Sequence, residues 1–274
     1  MRCCRRYTIK MSGLHGKQVL VTRPRHQSET LCRLITEASG VAISLPTLAI
    51  VPVDDVASVK AQLLHLERYH WIFFMSANAV TMHMNYLDNG RMPTLKSVRF
   101  AAIGAATAKA MKSFGLPVDL MPEEGFSSQA LLALAPLQAT NITNQTCLIV
   151  RGEGGHEELA NTLLARGAQV EYLNVYKRVL PEVDCTQLMQ LLQHNCLHAI
   201  TITSAEALRN LLTLLCSDYH QKLFRIPMIV VSERIKQIAK ELGCEHIIIA
   251  VSPSDTAIFQ AVKKVINGGI AWQK

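Results

Sequence analysis

No apolar run in this 274-residue chain approaches the ~18 residues that a membrane-spanning helix needs, so no membrane partner is expected. The N-terminal stretch MRCCRRYTIKMSGLHGK is basic and lacks the roughly 7–15-residue apolar core of a secretory signal. Residues 1–16 are expected to form a flexible tail, Met11 is an alternative start, and the expected location is cytoplasmic. Eight cysteines are scattered without a CxxC pair. Adjacent Cys3 and Cys4 have no histidine at ligand spacing, which speaks against a metal site. Disulfides are not expected in a reducing compartment, and Cys32, Cys147 and Cys216, set in apolar patterns, read as buried small hydrophobes. Aromatic residues are scarce at 5%, and no run of Lys or Arg exceeds two. The net charge of +7 thus lacks the concentrated, aromatic-interleaved basic stripe of a nucleic-acid binder, and no nucleic-acid partner is expected. A small polycarboxylate suits that charge better, because it needs only a few basic and backbone N–H groups converging on one place.

What is present is a core and a repeat. Hydrophobic residues make up 49% of the chain and charged residues 18%, the balance of a folded protein with one large or two ordinary domains. The chain repeats at a spacing of 128 residues: Arg23 in VLVTRP recurs as Arg151 in CLIVRG, Ser76 in FFMSANAV as Ser204 in TITSAEAL, and Gly104 in FAAIGAAT as Ser232 in MIVVSERI (151 − 23 = 204 − 76 = 232 − 104 = 128). A duplicated α/β unit predicts two similar lobes with a ligand held between them.

Short apolar runs at 18–22, 41–45, 71–75, 99–103, 117–121, 146–150, 169–176, 198–202, 227–231 and 246–250 read as strands. Amphipathic segments at 27–38, 78–88, 106–114, 127–135, 156–166, 205–215, 233–242 and 254–266 read as helices between them. Continuously apolar strands alternating with helices predict parallel sheets covered on both faces. Gly115, Gly167 and Gly243 close helices before strands, and the serines of SANAV, SAEAL, SERIK and SSQAL stand where N-caps belong. Two proline-marked extended stretches, 45–53 and 173–181, again sit 128 apart and read as strands passing from one lobe to the other, a two-stranded hinge.

With these residues in hand, the chain resembles the uroporphyrinogen-III synthase family over about residues 17–268. The carriers are VLVTRP (19–24), LPTLAI (45–50), FFMSANAV (73–80), AAIGAATAKAM (101–111), VDLMP (118–122), FSSQALL (126–132), LIVRGEGGHEELANTLLARGAQVEYLNVYKR (148–178), ITSAEALRNLL (202–212), VVSERI (230–235) and SPSDTAI (252–258). The resemblance implies two doubly wound parallel-sheet lobes built by an internal duplication with swapped βα units. One lobe would be 17–46 plus 181–268, the other 54–172, with 45–53 and 173–181 as the linker. It also implies conversion of linear hydroxymethylbilane to uroporphyrinogen III. The terminal hydroxyl leaves as water to give an azafulvene, and a spiro intermediate then inverts the last ring. The pyrroles supply the electrons, so no cofactor is expected. A monomer is expected, with a transient contact with hydroxymethylbilane synthase. The competing reading is a non-catalytic two-lobed binder of a small polyanion.

Such a substrate carries eight carboxylates, and the N–H groups at helix N-termini suit anions. The strand-end, helix-start positions Ser76, Ala77, Asn78, Gly104, Arg151, Gly152, Thr203, Ser204 and Ser232 are therefore candidate contacts, the serines having capping as their alternative role. Thr107 matches a family threonine and is either a substrate contact or a first-turn cap. Arg23 and Arg151 either clamp carboxylates or form strand-end salt bridges, and Lys177 is either a contact or, like Arg178, a solvated charge. Tyr176, matching the family tyrosine of VYKR, is the catalytic candidate, able to donate a hydrogen bond to the departing hydroxyl. Its alternative is an inward strand aromatic in alternation with Tyr172 and Asn174. Three departures stand out. His156 replaces the more usual arginine, and Ser232-Glu233-Arg234 replaces a small, Thr-rich turn. HEEL also lacks the second histidine of a zinc helix, because position 160 is Ala.

Overall fold

The computed structural model describes residues 13–87, 90–125 and 127–268. In chain order the elements are β1 (Gln18–Val21), α1 (Arg25–Glu37), β2 (Val41–Ser44), β3 (Ala49–Val51), α2 (Val56–Leu63), β4 (Trp71–Phe74), α3 (Ala77–Tyr86), β5 (Arg99–Ala102) and α4 (Ala105–Ser113). There follow α5 (Ser128–Leu132), α6 (Ala139–Ile142), β6 (Thr146–Gly152), α7 (Glu158–Ala165), β7 (Gln169–Val179), α8 (Thr186–Gln193), β8 (Leu197–Ile202), α9 (Ala205–Leu214), α10 (His220–Phe224), β9 (Met228–Val230), α11 (Glu233–Glu241), β10 (Ile247–Ile249) and α12 (Asp255–Ile266). The chain divides into two units, one holding the described residues up to Ala49 and from Leu180 onward, the other Ile50–Val179.

The first unit holds a sheet of order β10-β9-β8-β1-β2, and the second a sheet of order β3-β7-β6-β4-β5. In the first sheet β1 pairs in parallel with β2 and β8, and β9 in parallel with β8 and β10. In the second, β4 pairs in parallel with β5 and β6, and β6 with β7. Shifting each strand by 128 residues maps β1 onto β6, β2 onto β7, β4 onto β8 and β5 onto β9. The run β2-β1-β8-β9 thus has the same order as β7-β6-β4-β5, each sheet taking its first two strands from one repeat and the rest from the other. This is a doubly wound order, with the strand sequence switching its direction of progress across the sheet between β1 and β8, and between β6 and β4. Residues 173–176, expected in the linking strand, pair with β6 inside the second sheet.

Alternation decides which side chains meet which helices. Ile72, Phe74, Leu148, Val150, Leu173 and Val175 pack beneath Val59, Leu63, Val80, Met84 and Met111 on one face of the second sheet. Trp71, Phe73, Cys147 and Ile149 face Leu131, Leu159 and Leu163 on the other. The first sheet is covered likewise, with Leu20, Ile200, Ile202 and Val230 under Leu188, Leu208 and Ile235, and with Val19, Val21 and Ile229 under Leu31, Ile258 and Val262. Gly115, Gly167 and Gly243 follow the ends of α4, α7 and α11 with φ of 74°, 82° and 102°, the left-handed stop that the sequence predicts.

Four expectations change. Of 117–121 only Leu120 pairs, in a single bridge to Ala101, since prolines at 117 and 122 deny donors on either side. The helix expected over 127–135 stops at Leu132, and Pro136 lies in a separate 3-10 turn over Ala135–Leu137. Cys216 is exposed at the head of another such turn, Cys32 is half-buried, and only Cys147 of the three is buried. The expected tail over 1–16 lies outside the described residues up to 12, but from there it is packed: Leu14 is fully buried and its N–H donates to the Ala38 carbonyl at 2.7 Å.

One register change shapes the end of the second sheet. Arg151 stands opposite Asn174, but Gly152 stands opposite Tyr176, so β7 carries an extra residue there. Tyr176 consequently packs with Leu173 and Val175 on the α3 face, while Tyr172 packs on the other; the expected alternation of Tyr172, Asn174 and Tyr176 on one face does not hold. The Tyr176 ring fills the place of a side chain at Gly152, where a Cβ would lie 2.5 Å from two ring carbons. Gly152→Ala is expected to destabilise the protein by about 1–3 kcal/mol through overpacking, read as a lower urea midpoint; an unchanged midpoint would show that the ring yields freely.

His83 of α3 is fully buried with both ring nitrogens unpartnered, its ring edge-on to Phe74 at 5.2 Å between centroids. Burial lowers its pKa from 6.5 to about 4. The unfolded chain therefore binds this proton more readily than the folded one. Stability is intact above pH 6.5 and falls as pH drops from 6.5 toward 4, by about 2–3 kcal/mol at pH 4.5. Urea unfolding of the wild type and His83→Leu across pH 7.5–4.5 checks this, the variant being expected to lose that part of the acid sensitivity.

Candidate functional site

Ligands of doubly wound sheets sit beyond the carboxyl ends of the strands, at the reversal of strand order. In the second sheet those ends are Met75-Ser76 after β4, Ile103-Gly104 after β5, and Arg151-Gly152 closing β6. They open on a pocket of about 330 Å³, lined also by Ser127, Ser128, Gly155, His156, Glu158, Tyr176 and Arg178. That volume is at the small end of the ~300–1,000 Å³ range of ligand sites. A larger apolar recess of about 800 Å³ among Leu63, Leu64, Leu87 and Leu95 contains none of the candidate residues.

Ser76 is the N-cap of α3, its Oγ accepting from the Ala79 N–H at 3.0 Å. The same oxygen lies 3.2 Å from the Tyr176 hydroxyl. Tyr176 is 3% exposed and lines the pocket with its ring on Gly152. The structure thus gathers Ser76, Gly152 and Tyr176, three residues distant in sequence. Ala77 and Asn78 are the first two helical residues after Ser76. Gly104 caps α4 without a side-chain bond, and Thr107 is buried in that helix's first turn, inside the helix rather than at its cap.

Arg151 is 9% exposed and makes four hydrogen bonds within the protein. Nε donates to Asn174 Oδ1 at 3.3 Å, Nη1 to the carbonyls of Gly155 and His156 at 3.2 Å each, and Nη2 to Glu157 Oε1 at 2.8 Å. The guanidinium carbon stacks 3.8 Å above the Tyr172 ring centroid, and the Tyr172 hydroxyl donates to Glu157 Oε2. The Tyr172 hydrogen bond first, then Arg151, hold the Glu157 carboxyl below its usual pKa; burial first, then Glu157, raises that of Tyr172. Arg151 forms an internal bridge that ties down the 152–157 loop, and it also lines the pocket.

The first unit repeats the arrangement in part. Arg23 is engaged by Asp255 Oδ1 at 2.6 Å and the Pro253 carbonyl at 2.8 Å, and burial, opposed by Asp255, lowers its pKa. Ser204 caps α9 by accepting from the Ala207 N–H at 3.0 Å, with Thr203 just before it, and Ser232 caps α11 through the Ile235 N–H at 3.4 Å. Lys177 is paired with Asp54 Oδ1 at 2.6 Å, a contact that raises its pKa, so it is not a free solvated charge. Among the described residues no cluster of three or more His, Cys, Asp or Glu is placed to hold a metal ion, and no helix is long and apolar enough to cross a membrane. Sequence reasoning passed over Ser127, Ser128 and Arg178 as pocket residues. The position of Arg178 two beyond Tyr176 was the available signal.

Comparison with known proteins agrees with this architecture. The family model described as uroporphyrinogen-III synthase HemD matches residues 29–260. A uroporphyrinogen-III synthase of Escherichia coli is 30% identical over 246 residues, covering 89% of this chain and 99% of that protein. One of Salmonella typhimurium is 31% identical over 247 residues, with the same coverage. Among solved structures, a mutant uroporphyrinogen III synthase of Thermus thermophilus shares the fold with a TM-score of 0.60 at 17% identity, over 92% of this chain and 99% of that one. The Helicobacter pylori enzyme does so with a TM-score of 0.59 at 15% identity, over 89% and 97%. With a swapped duplication of parallel sheets, and with both the family model and these relatives spanning most of its length, the chain belongs to the uroporphyrinogen-III synthase family.

Proposed function

We propose that this chain closes hydroxymethylbilane to uroporphyrinogen III with loss of water, and that the pocket at the end of the second sheet assists departure of the hydroxyl. The observation that carries this reading is the 3.2 Å pair of Ser76 Oγ and Tyr176 Oη in a pocket formed by three strand ends. Ser76 Oγ accepts from the helix N–H and is left with its own proton to donate to the Tyr176 oxygen. Tyr176 then has its phenolic proton for the leaving hydroxyl. Such a chain of donors polarises in one direction, each bond strengthening the next. The hydroxyl departs as water with the phenolic proton while the pyrrole nitrogen supplies the electron pair, and that nitrogen then loses its own proton to give the neutral azafulvene and, through solvent, restore the phenol. Attack by the far ring and fragmentation of the spiro intermediate then need a held conformation more than further acid or base. We also place the enzyme in the cytoplasm as a monomer that receives its unstable substrate directly from hydroxymethylbilane synthase.

Fresh hydroxymethylbilane supplied to the protein, with products oxidised and separated by ring isomer, is expected to yield isomer III. Isomer I alone, at the rate seen without protein, rejects the activity. Tyr176→Phe is expected to lower kcat roughly 10- to 100-fold, the worth of one hydrogen bond to a developing charge, with the urea midpoint close to wild type. Wild-type turnover in that variant removes Tyr176 from the chemistry. Arg151→Ala strips donors from the Gly155 and His156 carbonyls and from Glu157, and is expected to cost about 1–3 kcal/mol of stability and to raise KM; a variant with wild-type stability and KM would show that the loop holds itself.

A further inference from the structure

The basic side chains at the strand ends differ in one respect: most are already matched. Arg23 has Asp255, Arg151 has Glu157, and Lys177 has Asp54. Arg178 has no carboxylate partner among the described residues. It is exposed, lines the pocket, and holds its guanidinium carbon 5.9 Å from the Tyr176 ring centroid. His156 lines the same pocket from the 152–157 loop, is also exposed, and has its backbone fixed because Arg151 captures its carbonyl. Of the acids near this loop, Glu157 is held by Arg151 and Tyr172 and Glu153 acts on Lys177, while Glu158 lines the pocket and accepts from Gln129 Nε2 at 2.9 Å. Arg178 and His156 are therefore the cationic or protonatable groups left to face a ligand in this pocket, with Arg151 behind the loop.

The pocket has room for one substituted pyrrole, not for four, and each such ring in hydroxymethylbilane carries two carboxylate arms. A guanidinium fork matches a carboxylate bidentately, and an imidazole N–H adds a single donor to another. We infer that Arg178 and His156 receive the two carboxylate arms of a single pyrrole ring above the Tyr176–Ser76 pair. They thereby make the pocket selective for an acid-bearing ring. The inference rests on the proposed activity for the identity of the substrate. Arg178 supplies a charged fork, and His156 a second donor held on the fixed loop.

Two measurements test this. The first is steady-state kinetics with hydroxymethylbilane between pH 6.5 and 8.5. Arg178→Gln is expected to raise KM about tenfold, more than it lowers kcat, with Arg178→Lys intermediate because ammonium keeps the charge but not the fork. His156→Ala is expected to raise KM across this range, by less than Arg178→Gln does, because it removes one donor rather than a charged fork. The second is binding of a monopyrrole bearing one acetate and one propionate arm, followed by NMR beside its dimethyl ester. Arg178→Gln is expected to weaken the acid and leave the ester unchanged. An unchanged KM and acid affinity in Arg178→Gln overturns the inference, and so does equal loss of acid and ester, which would mark Arg178 as packing. Since monopyrrole binding is read without turnover, failure here is distinct from failure to form isomer III.

Discussion

The ring of Tyr176 lies on the bare backbone of Gly152, and the end of the second sheet is organised around that contact. It requires the extra residue that β7 inserts opposite Arg151 and Gly152. Without that insertion, alternation would send Tyr176 to the face occupied by Tyr172 and away from Ser76. It also requires glycine at 152, since any Cβ would enter the ring. A single register slip thus brings a phenol from one strand to the helix cap that follows another.

Arg151 plays the complementary part on the other side of the same strand end. A nearly buried guanidinium is tolerated only with its donors satisfied, and here two carbonyls, an amide oxygen and a carboxylate satisfy them. The RGEGGHE segment is consequently a glycine-rich loop wrapped around a cation that the chain itself provides.

Much of this was legible in advance, for identifiable reasons. The 128-residue repeat and the apolar runs located nine strands and the helices between them, because both-face burial writes a continuous apolar signal. The serine caps at 76, 204 and 232 were legible because a cap is a local bond between residues three apart. Helices α2 and α8 were not, nor were the short α6 and α10. Both α2 and α8 are eight residues long and lack a serine cap, although they recur at almost the repeat spacing and so were present in the symmetry if not in the pattern. The side of the sheet taken by Tyr176 was hidden too, since a bulge leaves no mark on composition. Whether Arg23 and Arg151 faced a ligand or the protein turned on Asp255 and Glu157, and nothing local in the sequence announces those pairings.

The exchange of strands between repeats has a consequence for how the chain comes to be folded. Val21, the last residue of β1, pairs with Thr201, 180 positions later, so the first strand made has to wait for most of the chain before its sheet can close. The second unit is one continuous stretch, Ile50–Val179, and its sheet is complete before β8 is synthesised. On a ribosome adding residues from the N-terminus, the opening βαβ segment is therefore the first to emerge and among the last to be buried. Contacts of that sequence separation form slowly because the intervening loop must be closed first. The same swap that builds two alike sheets from one duplicated sequence leaves the N-terminal strands exposed for longest, and so most in need of protection from mispairing.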